Sequence, residues 1–339
     1  MMNKLVSRFV LIVTVCMLLV PGCDNDLDLE LFDPPVPVVY AILNSDDSIH
    51  YVRVERTYSG NRNAFIGAQH RDSLYFQDII VKLDIYTPNG YLITSLNFEK
   101  RSFSEKETGV FLSESYELFV LERKLSQYMA SGSYSILSVL TPEMKILATC
   151  KLDYHKNPEI LSPKPGVKTY LSLHSNDPMQ VSWADRSSFP EYSLSFYFIY
   201  ETYWKNFHQT DTALITYQAY SLNSTPDYEH PRLTIGIHGE SFYPKLGSAI
   251  EQSDDVQYRL FKKIYFELMT GNEDFFEYAR FKDISNYGNV GVYTNVNGGL
   301  GIATFKHLSR SSAYVLDLQS MDSLVRGRFT QSLSFKPWM

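Results

Sequence analysis

The second half of the chain brings histidine and glutamate side chains close together at His230, His238 and Glu240. Imidazole and carboxylate groups are the ligands that zinc takes in proteins, and His238 and Glu240 share one face of an extended segment. A zinc site needs a further ligand, which the spacing does not identify, so turn and surface roles are favoured. A hydrolase cleft around His238 and Glu240 is an alternative, but the chain has no Gly-x-Ser-x-Gly motif to carry a nucleophile. We therefore predict no catalytic residue.

The glycine-rich stretch NGGLG at 297–301 raises the question of a phosphate-binding loop. Such loops lie between a strand and a helix, whose first backbone amides bind the anion. The residues after these glycines alternate like a strand, so a tight hairpin that turns at Asn297-Gly298 is predicted instead. The acidic pairs Asp46-Asp47 and Asp254-Asp255 match no calcium-loop pattern and predict solvated turns. Neither a metal nor a cofactor is predicted.

The first 22 residues have the composition of a secretory signal. Lys4 and Arg8 precede the apolar run FVLIVTVCMLLV at 9–20, which is shorter than the roughly 20 residues of a membrane-spanning helix. The sequence VPGC at 20–23 resembles the lipobox of bacterial lipoproteins. This resemblance implies cleavage between Gly22 and Cys23 and a lipid on the thiol of Cys23. The alternative is an ordinary signal peptide with Cys23 unmodified.

Residues 23–35 are predicted to form an acidic, proline-containing tether, since DNDLDLELFDPP has little to bury. Acidic residues directly after the lipidated cysteine resemble the surface-export signal of Bacteroidota-type lipoproteins. That resemblance implies a lipid-anchored protein of the outer membrane, with the cell surface favoured over the periplasmic face.

The net charge argues against some classes of ligand, and the cysteine content excludes a disulfide within the mature chain. Loss of the two cationic residues in the signal changes the formal net charge from −7 to about −9, which argues against nucleic acid and against a polybasic membrane contact. Of the three cysteines, Cys16 leaves with the signal and Cys23 carries the lipid. Cys150 alone cannot form a disulfide within the chain, and we expect it to be a small buried residue on a strand.

The 25 tyrosines and 21 phenylalanines, with frequent threonine, serine and valine, predict a mostly β protein. The clearest early hairpin is IIVKLDIYTPNGYLITSLNF, with alternating residues on both sides of Pro88-Asn89-Gly90. An antiparallel β-sandwich is predicted over 36–154, a proline-rich linker over 155–169 and a second sandwich over 170–339. Trp183 and the alternating strand after it resemble strands B and C of an immunoglobulin or fibronectin type III domain. Thr270 and Glu273 form a capping-box pattern, so a helix is predicted near 272–284.

Two stretches carry a resemblance to one family. The opening PPVPVVYAILNSDDSIHYVRVERTY and the later combination of EDFFEYARF with YTNVNGGLGIATF resemble a domain-of-unknown-function family of Bacteroidota-type envelope lipoproteins. Members are often encoded beside TonB-dependent outer-membrane receptors, so the resemblance implies an accessory role in uptake or surface attachment. Ala303 departs from the phenylalanine that the family usually has. The family brings no established catalytic residues.

Four short stretches resemble the O-glycosylation motif of exported Bacteroidota proteins. Their acceptor residues are Ser48, Ser73, Thr212 and Ser323. The expected function is a non-enzymatic, lipid-anchored envelope protein that presents a binding surface, with a TonB-dependent receptor as the expected partner. The alternative is a carbohydrate-binding surface module, which would require several aromatic rings coplanar on one sheet face.

Overall fold

The computed structural model describes residues 34–58, 66, 70–104, 115–164, 170–174, 178–184, 189–220, 232–285 and 293–337. Within these ranges the protein is mostly β, which confirms the predicted class. The strands are β1 (Pro37–Leu43), β2 (His50–Arg56), β3 (Ile80–Tyr86), β4 (Leu92–Asn97), β5 (Glu99–Phe103), β6 (Tyr116–Leu121), β7 (Tyr134–Leu140), β8 (Ile146–Asp153), β9 (Ile160–Ser162), β10 (Tyr170–Leu171), β11 (Met179–Ala184), β12 (Glu191–Tyr203), β13 (His208–Tyr220), β14 (Arg232–Ile237), β15 (Tyr258–Gly271), β16 (Leu300–Arg310), β17 (Val315–Leu316) and β18 (Phe335–Lys336).

Helical segments are few and short. The described helices are α1 (Arg71–Leu74), α2 (Gly239–Ala249), α3 (Glu273–Ser285) and α4 (Leu318–Arg326), with 3₁₀ turns at Leu125–Gln127 and Gln331–Leu333. The helix α3 occupies the segment for which the sequence predicts one. The predicted capping box is wrong, because Thr270 belongs to β15 and its hydroxyl donates to the carbonyl oxygen of Glu191 at 2.6 Å.

A central sheet of nine described strands joins the two halves of the chain. Its strand order is β13-β12-β15-β16-β1-β2-β6-β5, and β18 pairs with β15. The first strand, β1, lies between β16, to which it is parallel, and β2, to which it is antiparallel. The smaller sheets have the orders β4-β3-β7-β8, β14-β11-β9 and β10-β17.

Two hydrophobic cores lie against the inner face of the central sheet. One core packs Val39, Ala303 and Phe305 of the central sheet against Leu83 and Leu137 of the four-stranded sheet. The other packs β12 and β15 against β11, α2 and α4, and contains the fully buried Trp183. Both cores are sheet-on-sheet packings, but they share one sheet as a common layer. The two predicted sandwiches are therefore joined by continuous strand pairing between β1 and β16.

The segment predicted as a linker is partly built into the fold. Within 155–169, residues 155–164 are described, and β9 pairs with β11 through Ser162 and Ser182. Tyr314 donates its hydroxyl hydrogen to the carbonyl oxygen of Pro163 at 3.1 Å. Pro158 and Pro163 therefore flank a short edge strand in the described part of this segment.

The two predicted hairpins differ in outcome. β3 and β4 pair across a turn in which Gly90 has φ +85°, as the Pro-Asn-Gly sequence predicts. The chain also turns at Asn297-Gly298, and the N–H of Asn295 donates to the carbonyl oxygen of Gly301 across the turn at 3.3 Å. The described residues before the turn, 293–296, form no strand, and Asn297 bridges to Thr149 of β8. The side chain of Asn295 binds the backbone N–H and carbonyl of Ala303, both at 3.0 Å, and so replaces the missing strand.

Candidate functional site

The outer face of the central sheet, opposite the core that contains Trp183, presents aromatic side chains on β12 and β15. Phe196 and Phe198 point into the core, whereas Tyr197 and Ile199 alternate with them and are half-buried on the other side. Strand alternation fixes this division, because successive side chains point to opposite faces. We call the side of Tyr197 the outer face.

The first aromatic row crosses four strands of the outer face and consists of Leu214, Tyr197, Tyr265 and Arg310. Leu214 and Tyr265 are the register partners of Tyr197, on β13 and β15. The rings of Tyr197 and Tyr265 are stacked, with centroids 4.8 Å apart and planes 9° apart. The guanidinium carbon of Arg310 lies 4.9 Å from the Tyr265 centroid and pairs with Glu267 at 2.9 Å.

The second aromatic row crosses the same sheet near the turn between β12 and β13, and consists of His208, Tyr203, Tyr258 and Lys336. The Tyr203 ring stacks on His208 at 5.0 Å and on Tyr258 at 4.5 Å. The ammonium of Lys336 lies 4.2 Å from the Tyr258 centroid. Tyr203 and Tyr197 are six residues apart on one strand, so the rows are separated by about 20 Å.

A hydrogen bond fixes one tyrosine in each row. Tyr197 donates its hydroxyl hydrogen to Glu267 at 3.2 Å, and Tyr203 donates to Glu201 at 2.7 Å. Partial burial, together with the charge of Glu267, raises the pKa of Tyr197 above its ordinary value. The hydroxyls of Tyr197 and Tyr203 are therefore bound donors, and these two side chains are held in place on the outer face.

The same stacking makes the rows a poor platform for sugars. The strand order places a neighbour on each face of three of the rings. In the second row, Tyr203 lies between His208 and Tyr258, and Tyr258 lies between Tyr203 and Lys336. In the first row, Tyr265 lies between Tyr197 and Arg310. A sugar stacks on a free ring face, and these rings offer mainly their edges. The exposed edges of these rings, with aliphatic and charged side chains beside them, are better suited to contact with a protein than to contact with a sugar.

The side chains considered for metal binding or hydrolysis do not form a site. His238 precedes α2 as its N-terminal cap residue, Glu240 lies in the first turn, and both side chains are exposed. His230 lies outside the described residues. Among the residues that the structure does describe, no three His, Cys, Asp or Glu side chains are grouped to hold a metal ion.

The acidic pair at Asp46-Asp47 is used within its turn. Asp47 accepts a hydrogen bond from the side chain of Asn44 at 3.1 Å, and Asp46 accepts one from Asn157 at 2.6 Å. Asp254 and Asp255 are exposed in the segment before β15.

The four predicted glycosylation residues lie on separate elements. Ser48 is exposed in the turn before β2, and Ser73 lies in α1. Thr212 is exposed on β13, on the outer face between the two rows. Ser323 lies in α4 and donates its hydroxyl hydrogen to the carbonyl oxygen of Gln319 at 2.9 Å. Their modification stays a prediction.

Cys150 is the predicted buried residue on a strand. It lies in β8, is 4 % exposed, and donates its thiol hydrogen to the carbonyl oxygen of Ala303 at 3.3 Å. Burial, helped by the carboxylate of Asp274, raises the pKa of the thiol to about 12. The thiolate is thus unavailable at neutral pH, and a nucleophilic role is disfavoured.

Gly22 and Cys23 lie outside the described residues, so cleavage and lipidation stay predictions. In the part of the chain that the structure does describe, helices that combine the length and the apolar character of a membrane span are absent. No family model matches the chain, and no curated protein matches it either.

The aromatic rows were not among the sequence-predicted site residues. A signal was present, because Tyr197, Tyr203, Tyr258 and Tyr265 occupy the positions of β12 and β15 that face away from the core. Four tyrosines at the positions that alternate with core residues predict an aromatic outer face for these two strands. The pairing of β12 with β15 that stacks the rings involves segments about 60 residues apart and has no local sequence signal.

Proposed function

We propose that this chain is a non-catalytic envelope protein of the Bacteroidota-type lipoprotein family that it resembles. Its lipid on Cys23 holds it to the outer membrane, on the cell-surface side, through the tether at 23–35. Its role is accessory: it binds a protein partner, for which a TonB-dependent outer-membrane receptor is the candidate. The acidic net charge of the chain disfavours nucleic acid as a ligand.

One observation carries the binding role, namely the first aromatic row on the outer face. Leu214 is 52 % exposed beside the stacked pair of Tyr197 and Tyr265, and Arg310 closes the row. Tyrosine and arginine are the residues that dominate protein interfaces, since they combine large contact area with hydrogen-bonding groups. Because stacking and hydrogen bonds already fix these side chains, little conformational freedom is lost on association.

Co-purification from detergent-solubilised outer membranes tests this role. The wild-type chain is expected to recover one channel protein in stoichiometric amount. Leu214→Arg places a charge at the exposed end of the row, beside Tyr197, and is expected to reduce the recovery at least about tenfold, which corresponds to roughly 1.4 kcal/mol.

A matched control is Leu92→Arg, because Leu92 is a similarly exposed leucine, at 56 %, on the edge strand β4 of another sheet. This variant should recover the channel protein as the wild type does. Equal recovery with Leu214→Arg would exclude the outer face as the contact, and recovery of no channel protein by the wild type would exclude the accessory role.

A further inference from the structure

The turn between β7 and β8 exposes apolar side chains. Residues 142–146 (PEMKI) are all exposed, with Met144 at 55 % and Ile146 at 68 %. Leu300, at the start of β16, is 36 % exposed. We call Met144, Ile146 and Leu300 the apolar collar.

Met144 occupies a backbone conformation that its side chain does not favour. Its φ is +65°, in the left-handed region, within a turn closed by the N–H of Met144 on the carbonyl of Thr141 and by the N–H of Thr141 on that of Lys145, both at 2.9 Å. Glycine or asparagine adopts this conformation more readily. Glycine at this position would stabilise the fold at least as well as the strained, exposed Met144 does. The methionine side chain therefore points to a contact with something outside the protein.

The collar lies where the tether enters the fold. Asn297 pairs with Thr149 of β8 through backbone hydrogen bonds of 2.8 and 2.9 Å, and Leu300 is the register partner of Val38. A Cβ on Gly299 would lie 2.5 Å from the carbonyl oxygen of Pro37 and 3.4 Å from Ala148, so these segments meet at one corner. The described chain begins at this corner, with Pro34.

The tether is short compared with the central sheet. Cys23 lies 14 residues before Pro37, a distance of at most about 50 Å when extended. From Leu300, β16 runs ten residues along the sheet to Arg310, whose register partner on β15 is Glu267. In the same direction, β15 extends nine residues further, from Glu267 to Tyr258. These nineteen steps are a path of about 60 Å along the strands from the collar to the end of the sheet that carries the second aromatic row, where Phe207 is 58 % exposed.

We propose that the apolar collar rests in the interfacial layer of the bilayer that holds the acyl chains of Cys23. The proposal depends on the lipid anchor of the proposed function and adds the face that the anchored protein turns to the membrane. Glu143 and Lys145 flank Met144 with opposite charges, so the contact is apolar and does not require anionic lipid. The tether keeps the collar at high local concentration beside the bilayer, so a small apolar area is sufficient.

An environment-sensitive fluorophore on Met144→Cys tests this contact. The chain from residue 24 carries a hexahistidine segment in place of Cys23 and is held on phosphatidylcholine vesicles that contain nickel-chelating lipid. Cys150 is buried, so the label reacts at position 144. We expect a blue shift of the emission on tethering and loss of intensity to nitroxide-labelled lipid. The same label on Phe207→Cys, at the opposite end, should show neither change.

A label at position 144 that stays aqueous on the vesicles would overturn the proposal. The proposal would also be overturned if the label were shielded from water in native outer membranes but not on the vesicles, because the contact would then be with a protein. A further variant combines Met144→Gly and Ile146→Ser with a label on Leu300→Cys. It should fold as the wild type does, but lipid should no longer shield the label at position 300 from water. Flotation of the native acylated chain tests the anchor separately, so failure of the collar and failure of the anchor are distinguishable.

Discussion

Val38 in the first strand and Leu300 in β16 are register partners in a parallel pair that joins the beginning of the described chain to its last third. This pair lies in the middle of the central sheet, with β15, β12 and β13 on one side and β2, β6 and β5 on the other. The tether proposed at 23–35 therefore leads into a strand that pairs with both halves of the protein, and the sheet itself would bear a pull on the proposed lipid anchor.

The β1–β16 pair predicts a large effect of Gly301→Ala. Gly301 has φ +101°, and a Cβ there would lie 2.1 Å from the carbonyl oxygen of Val39, so the strands must separate. We expect a loss of about 3 kcal/mol or more in the free energy of unfolding, measured by urea denaturation. Gly90→Ala is the control, since its φ is +85° but its Cβ meets only the Tyr134 hydroxyl at 3.7 Å. It should cost only about 1 kcal/mol, and equal losses for the two variants would contradict the close approach of β1 and β16.

The stacked pair on the outer face predicts energetic coupling between Tyr197 and Tyr265. A double-mutant cycle with alanine at each position should give a coupling free energy of about 0.5–1.5 kcal/mol, because offset stacking adds to simple burial. Tyr197 and Tyr86 serve as the control cycle, since Tyr86 stacks on Tyr134 of a different sheet. Coupling near zero in the first cycle would show that the first row is not pre-ordered.

Asp317 predicts a pH dependence of stability. Burial acts to raise the pKa of this carboxyl group, but hydrogen bonds from Ser172 and Ser320 outweigh burial and lower the pKa below its ordinary value. A carboxyl group whose pKa is lowered by folding stabilises the protein above its unfolded pKa, near 3.9, and this contribution is lost as the pH falls through the folded value. Asp317 is the N-cap of α4 and accepts the N–H of Ser320 at 2.8 Å.

Asp317→Ala should therefore cost about 1 kcal/mol at pH 7, and its difference from the wild type in thermal midpoint should shrink below pH 4. The control is Asp322→Ala, which removes an exposed pair with Arg326 at 3.3 Å and should cost less than about 0.5 kcal/mol. A difference between Asp317→Ala and the wild type that stays constant from pH 7 to pH 3 would contradict the assigned role.

Cys150 predicts a thiol that reacts only after unfolding. In a Cys23→Ala chain without residues 1–22, Cys150 is the remaining cysteine, and burial raises its pKa to about 12. A thiol reagent at pH 8 should detect no fast-reacting group in the native protein and one group in guanidinium chloride. Fast reaction in the native state would contradict both the burial and the pKa.

Local pattern was sufficient for the β class, for the Pro-Asn-Gly hairpin and for the helix at Glu273–Ser285. Each depends on residues close in sequence, such as the alternation around Gly90 or the apolar Phe275 and Phe276. The capping box failed because β15 extends through Thr270, whose side chain is fully buried and bonded to β12. Local propensity could not indicate that tertiary pairing.

Long-range pairing explains what could not be predicted. The parallel contact of β1 with β16 and the stacking of Tyr197 on Tyr265 depend on which strands become neighbours, and a single sequence does not encode that choice locally. The predicted break at 155–169 followed from its prolines, but Ser162 and Pro163 are bonded to β11 and Tyr314.

The mass of the intact polypeptide extracted from membranes tests the central claim, a lipid anchor at Cys23, most directly. A chain that begins at Cys23 and carries the added mass of a diacylglycerol group, with or without a further acyl chain, is the predicted result. An unmodified amino terminus, or one at any other residue, would contradict it.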